Sequence, residues 1–325
     1  MWKYIVKRLL WMIPVLLGVA LIVIILIDIT PGDPARLFLG TRASAEDVAA
    51  FREQLHLNDP ILVRYARFIW DAVRGDFGTS LISGEPVLKD LLVRFPYTLL
   101  LIFLSVLLAL ALGIPLGVYA ATHQYTWKDN AAIFASLFCV SMPNFWFALV
   151  LVQIFCTKLH LLPNLGIDSW KGWILPIVSL TIGYTASIAR QTRSSMLEQI
   201  RQDFVITARA KGQTERKVIY KHALKNALIP IIMVAGSMFG LSLGGAIIAE
   251  TIFSIPGTGN YAMMALNRRD FPAIQGSVLF LAILFSVIML LVDIVFAYVD
   301  PRIRSQYSSN MRRKRKEDSE NEQEA

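Results

Sequence analysis

Long apolar runs dominate this chain. Six stretches contain no Asp, Glu, Lys or Arg: 9–27, 95–127, 130–157, 172–189, 226–249 and 271–292. A helix crossing about 30 Å of hydrocarbon needs roughly 20 apolar residues, and each run is too apolar and too long for the core helix of a soluble domain. The pattern predicts six transmembrane helices in an all-α membrane protein. The second run exceeds what a bilayer requires, so part of it must lie outside the lipid. The fourth is the shortest and carries Pro176 and Gly183. The first follows Lys3, Lys7 and Arg8 in the manner of a signal peptide. Its apolar stretch is too long for one, however, and no small-residue cleavage site precedes Thr30-Pro31-Gly32-Asp33-Pro34. A retained helix over 1–30 is expected.

Charges between the runs set an orientation. Residues 1–8 carry three bases and no acid, 190–225 carry nine bases against three acids, and the tail from Asp300 carries seven bases. The intervening loops are balanced, with two bases and one acid in 158–172 and two of each in 250–270. Because cytoplasmic loops accumulate Lys and Arg, both termini and the 190–225 loop are expected in the cytoplasm. The segment 31–93 is then an extracytoplasmic insert.

That insert reads as folded. Ser44 is placed to cap a helix beginning at Ala45, and a second amphipathic helix is expected over Ile61–Val73, with Ile61, Tyr65, Phe68, Ile69 and Ala72 on one side. Arg74-Gly75-Asp76-Phe77-Gly78 then turns the chain. Two readings stay open: a face for an extracytoplasmic partner, or a plug at the bilayer surface. In the basic loop, Asp203–Ala210 is predicted helical, Gly212 stops it, and Thr214 is placed to cap a second helix from Glu215. There Lys217, Lys221 and Lys225 share one face, while Val218, Ile219, Ala223 and Ala227 form an apolar stripe. A docking device and a simple topology signal both fit this pattern. After Ala249, the stretch Glu250 to Gly259 contains Pro256, Gly257 and Gly259 and cannot continue a helix, so the chain turns back on the outer side. The polar tail after Gln306 has no apolar periodicity and is expected to be disordered and dispensable.

Composition narrows the function. The 325 residues are 55% hydrophobic and 17% charged, where a soluble domain carries about a quarter charged residues. Net charge is +8, which in a membrane protein reflects basic cytoplasmic loops and not a nucleic-acid partner. Cys139 and Cys156 lie in apolar runs and read as small hydrophobes. There is no P-loop, no clustered metal-ligand set and no nucleophile elbow, so neither an ATPase nor a hydrolase is indicated and no cofactor or metal is expected. Asp28, Glu250 and Asp293 all sit near span ends, whereas an ion-coupled carrier would place charge at mid-membrane. Two small-residue faces point to close packing: Gly113 with Gly117, and Gly236 with Gly240 and Gly244, the second also placed to carry a gate.

Particular motifs then narrow the field. Thr207-Ala208-Arg209-Ala210-Lys211-Gly212, followed by Asn226-Ala227-Leu228-Ile229-Pro230, resembles the cytoplasmic coupling loop of binding-protein-dependent ABC importer permeases. More narrowly it is similar to the dipeptide, oligopeptide and nickel branch, first of the two paired permeases. Pro31-Gly32-Asp33-Pro34, Gly75-Asp76-Phe77-Gly78-Thr79-Ser80, Ser141-Met142-Pro143, Arg190 to Met196, Glu250 to Gly259 and Asp300-Pro301-Arg302-Ile303-Arg304 extend the likeness to residue 305 or so. The glutamate that marks the loop in the wider family would fall at Ile206, a departure usual in the peptide branch. The resemblance implies a type I importer fold with a shared transmembrane domain over 94–299, a coupling loop about 190–228 and a cytoplasmic tail over 300–325. It implies as partners a second permease, two cytoplasmic ATPases and an extracytoplasmic peptide-binding protein, in a bacterial or archaeal inner membrane. Peptide is the expected solute, with nickel or another small solute as the alternative. A six-span carrier or channel is the reading from another class.

Overall fold

The computed structural model of the chain describes residues 2–29, 33–40, 42–163 and 165–299. The tail and its Asp300-Pro301-Arg302-Ile303-Arg304 motif lie outside the described residues, as do Pro31 and Gly32 of Pro31-Gly32-Asp33-Pro34. The first crossing is α1 (Trp2–Ile29). The insert holds α2 (Pro34–Leu39), α3 (Ala45–Gln54) and α4 (Ile61–Val73). Next come α5 (Val87–Thr122), α6 (Trp127–Ser141), α7 (Asn144–Leu151) with a π-helical end over Val152–Lys158, and α8 (Ile174–Ile200). The remainder is α9 (Asp203–Ala210), α10 (Glu215–Lys217), a π turn at Val218–Ala223, α11 (Leu224–Ile252), α12 (Thr258–Arg268) and α13 (Phe271–Val299). The fold is all-helical.

Among the described residues, five helices are long and apolar enough to cross a bilayer. The third apolar run differs from expectation, because it is broken. A proline disfavours helical backbone in the residue before it. Met142 accordingly adopts ψ 128° ahead of Pro143, ending α6 and letting α7 restart at Asn144. The fourth run also differs: α8 continues to Ile200 through Arg190 and Arg193, so the loop between crossings is narrower than 190–225. Arg193 is tolerated there because both of its guanidinium arms bond Asp129 of α6, at 2.6 and 2.7 Å. That carboxylate is 2% exposed, and sequence reading did not single it out.

Ion pairs place the two ends of the bundle. Arg8 of α1 meets Asp293 of α13 at 3.0 Å, so the two terminal helices bring residues near the chain ends to one side. At the other side Asp28 meets Arg64 of the insert at 2.6 Å. The 36-residue α5 is about 54 Å long at 1.5 Å per residue. Its surplus lies on the insert side, where Val87 and Leu91 are buried with Phe77, Tyr261 and Phe280. Inside the insert Ser44 and Asp47 form a reciprocal capping box, at 3.1 and 3.2 Å. Ser80 donates to the buried Asp270 carboxylate at 2.6 Å, fastening the insert to the start of α13. The bundle core is α5, α8 and α11, and Gly113 and Gly117 let α5 approach α8 along Ile188 and Thr192.

Candidate functional site

The α9–α10 element is built around one glycine. In α9 the apolar Val205 and Ala208 are buried against Val118, Ala121 and Met196. Gly212, with φ +73°, then reverses the chain. Its N–H donates to the Arg209 carbonyl at 2.9 Å and the Gln213 N–H to the Ala208 carbonyl at 3.4 Å, the paired bonds of a Schellman helix end. Thr214 takes the extended backbone of an N-cap but makes no side-chain cap bond. The two helices are clipped together instead by Arg209, whose guanidinium bonds both Glu215 oxygens at 2.6 and 3.1 Å. This pairing holds the Glu215 carboxyl below its ordinary value. The pair is exposed and adds little stability.

The stripe read from sequence points as expected, for Val218, Ile219, Ala223 and Ala227 are all buried. Lys217, Lys221 and Lys225 are exposed. Thr207, Arg209, Ala210, Lys211, Gly212, Thr214 and Glu215 form the outward surface, while Ala208 faces the bundle. Phe204, Ile206 and Tyr220 join the outward side as exposed large apolar residues that sequence reading did not select. Among the described residues nothing lies within 4 Å of a Cβ built on Gly212. Its glycine is thus required by backbone conformation, not by a close contact within the chain.

The turn after α11 is organised by Glu250. Its side chain is fully buried at the end of α11, and its bonding partners are hydroxyl and amide groups. Thr98 of α5 donates to Oε1 at 2.6 Å and the Asn260 N–H donates to Oε2 at 2.9 Å. Thr98 Oγ1 in turn accepts from the Thr258 N–H at 2.9 Å and meets the Thr258 hydroxyl at 3.0 Å. Asn260 Nδ2 donates to the Ile255 carbonyl at 2.9 Å. A buried carboxyl group is tolerated only when hydrogen-bonded, and this network ties α5, α11 and α12 into one knot. Gly257 has φ −92°, which any residue adopts. It is glycine because a Cβ there would fall within the Glu250 carboxylate. A Cβ on Gly259 would meet Ile247 Cγ1 at 2.6 Å. Pro256, half-buried between them and Glu250, fixes the entry to α12. Thr98, Thr258 and Asn260 were missed from sequence; a lone threonine near the end of an apolar run was the available signal.

Helix α11 joins the α9–α10 element to the Glu250 turn, and its glycine strip is shorter than expected. A Cβ on Gly236 would meet Val292 of α13 at 2.6 Å, and one on Gly240 would meet Met289 Sδ at 2.8 Å, but Gly244 faces open space. Steps of four residues advance about 40° beyond each full turn, so Gly244 has rotated off the seam. Val292 is β-branched and cannot yield as Met289 can. Gly236→Val should therefore destabilise the purified chain by about 1–3 kcal/mol, and Gly244→Val should be neutral. Thermal melts in detergent would distinguish them; equal melting temperatures would refute the seam.

Between α5, α6 and α8 lies an apolar cavity of about 490 Å³, lined by Leu112, Ile133, Leu137 and Thr185 and bordered by Arg190 and Arg193. The described residues hold no group of three or more potential metal ligands.

Comparison with known proteins matches the family described as binding-protein-dependent transport system inner membrane component over residues 113–305. The N-terminal family of the same components matches over residues 1–102. A glutathione transport system permease protein from Salmonella paratyphi A is 40% identical over 94% of this chain and 99% of its own. A dipeptide transport system permease protein from Alkalihalophilus pseudofirmus is 40% identical over 94% of this chain and 100% of its own. Among solved structures, an inward-facing methionine ABC transporter aligns with a TM-score of 0.56 at 19% identity. That alignment covers 65% of this chain and 97% of the other, and it supports the type I importer fold. Systems of this kind combine permeases, ATPase subunits and a binding protein, with ATP hydrolysed outside the permease. The chain belongs to the binding-protein-dependent transport system inner membrane component family, as a multi-pass inner-membrane permease subunit of an ABC importer.

Proposed function

We propose that this chain is the first of two paired permeases in an importer of small peptides, of the glutathione or dipeptide class. The observation that carries the solute class is near-full-length similarity to permeases named for those two solutes. In this reading residues 94–299 form the shared transmembrane domain, and both termini and the α9–α10 element face the cytoplasm. The insert faces a binding protein that delivers the peptide. The basic surface of α9 and α10 receives an ATPase, because its apolar base is anchored to α5 and α8 while Ile206, Lys211 and Gly212 are left outward. Closure of two ATPases then pushes on a rigid unit continuous with α11, and α11 transmits the motion to the Glu250 knot. Reconstitution with the partner permease, ATPases and binding protein should give ATP-dependent uptake of dipeptides or glutathione. Uptake of nickel or another solute, without peptide, would overturn the solute class.

Gly212→Leu is the specific test of coupling. A left-handed residue with a Cβ costs about 1–2 kcal/mol, too little to unfold the bundle but enough to deform the exposed turn. Insertion and yield should be normal, with peptide uptake per ATP hydrolysed falling severalfold. Gly212→Asn, tolerant of that backbone, should retain most of it. Normal coupling in Gly212→Leu would make the loop a topology signal alone.

A further inference from the structure

We infer that α4 of the insert is a membrane-embedded helix, whose outward stripe contacts lipid of the outer leaflet. The stripe is Leu62, Ala66, Trp70 and Val73, spaced one turn apart along one side of α4. All four are exposed, Leu62 and Val73 by 74% and 79%. No residue of α4 is buried. The polar residues point the other way, toward protein. Arg64 pairs with Asp28, and Phe68 and Asp71 line a crevice with Ile24 and Ile27 of α1. A helix in water presents the reverse arrangement.

Depth gives the occupant. The Tyr65 hydroxyl donates to the Leu17 carbonyl at 3.1 Å, while the neighbouring Arg64 reaches Asp28. Leu17 and Asp28 are about 16 Å apart along α1, so adjacent residues of α4 span the outer half of that crossing. The first turn of α4 therefore lies beside the middle of that half, below the outer end of α1. On α1 itself Ile22, Leu26 and Ile29 are exposed apolar residues at the same levels. At the far end of α4 the Arg74 guanidinium lies over the Trp70 ring, 4.4 Å from its centroid. An amphipathic aromatic beside an upward-reaching arginine suits the headgroup boundary. Lipid, not a soluble protein, fits a wholly apolar stripe at that level.

The test uses the full chain in its assembled complex in phosphatidylethanolamine–phosphatidylglycerol vesicles, with Cys139 and Cys156 replaced by alanine. Nitroxides are placed singly at positions 62, 66, 70 and 73, and at Glu53 of α3 as an exposed reference. All five positions are on the surface, so labelling should not disturb folding. Oxygen, which concentrates in hydrocarbon, should relax the four stripe labels severalfold more than a water-soluble nickel chelate does. Position 53 should show the opposite preference. Stripe labels that favour the nickel chelate would overturn the proposal. So would labels shielded from both reagents, since a protein partner would then cover the stripe.

Discussion

Gly117→Val should abolish assembly of this permease. A Cβ at Gly117 would meet the Thr192 side chain and the Ala189 carbonyl of α8, and at Gly113 the neighbours are Ile188 at 2.8 Å and the Thr185 carbonyl at 3.0 Å. Backbone carbonyls on a packed helix cannot rotate aside as a methionine does. The two helices must separate, and their seam is the largest in the bundle core. Overpacking costs about 1–3 kcal/mol and occasionally more, and rigid neighbours place this site at the upper end. Against a total stability of roughly 5–15 kcal/mol that is a large fraction. Membrane-inserted protein that aggregates on detergent extraction is the expected result. Gly18→Val is the control, because nothing lies within 4 Å of a Cβ there. Equal monodisperse yield of the two variants in size-exclusion chromatography would refute the packing account.

Gly257→Ala should have the second large effect, through a different mechanism. Helical or strand strain is absent, since φ is −92°; the obstacle is the Glu250 carboxylate. Displacing it breaks the bonds from Thr98 and the Asn260 N–H. Each buried donor or acceptor left unsatisfied costs about 1–3 kcal/mol. Transport should fall at least tenfold, with the outer turn opened to protease. The coupling between the sites is the sharper measurement. In a Glu250→Ala background the carboxylate is gone, so Gly257→Ala should cost far less than it does alone. Additive losses in the double variant would show that Gly257 is required for another reason. Glu250→Gln tests the charge separately: it keeps the shape, retains the Thr98 bond, and risks one mispaired amide worth about 1–3 kcal/mol.

Much of this architecture was legible because the bilayer acts on each segment alone. A run without charge must satisfy its backbone internally in hydrocarbon whatever its neighbours do, so local composition located five long helices, while the third run proved to be broken at Pro143. Local capping and turn chemistry likewise placed Ile61–Val73 and Asp203–Ala210 with their observed bounds, and marked Gly212 as a left-handed stop. The family motifs of the α9–α10 element and of the outer turn were legible for the same reason, being contiguous in sequence.

What remained hidden depended on residues far apart in the chain. Glu250 and Thr98 are separated by 152 positions, so the cause of glycine at 257 appears only when α5 reaches the turn. Asp129 lies 64 positions from Arg193, and without it the charge in α8 read as the start of a loop. The strip at Gly236, Gly240 and Gly244 looked uniform as a spacing of four, but the helix turns at 3.6 residues, and only the position of α13 shows which two glycines it meets. The sequence by itself determined which segments enter the membrane and where the chain reverses, because those depend on local hydrophobicity and backbone freedom. Tertiary structure alone decided which polar groups share a buried knot and which small residues form a seam, because partners on different helices meet only after packing.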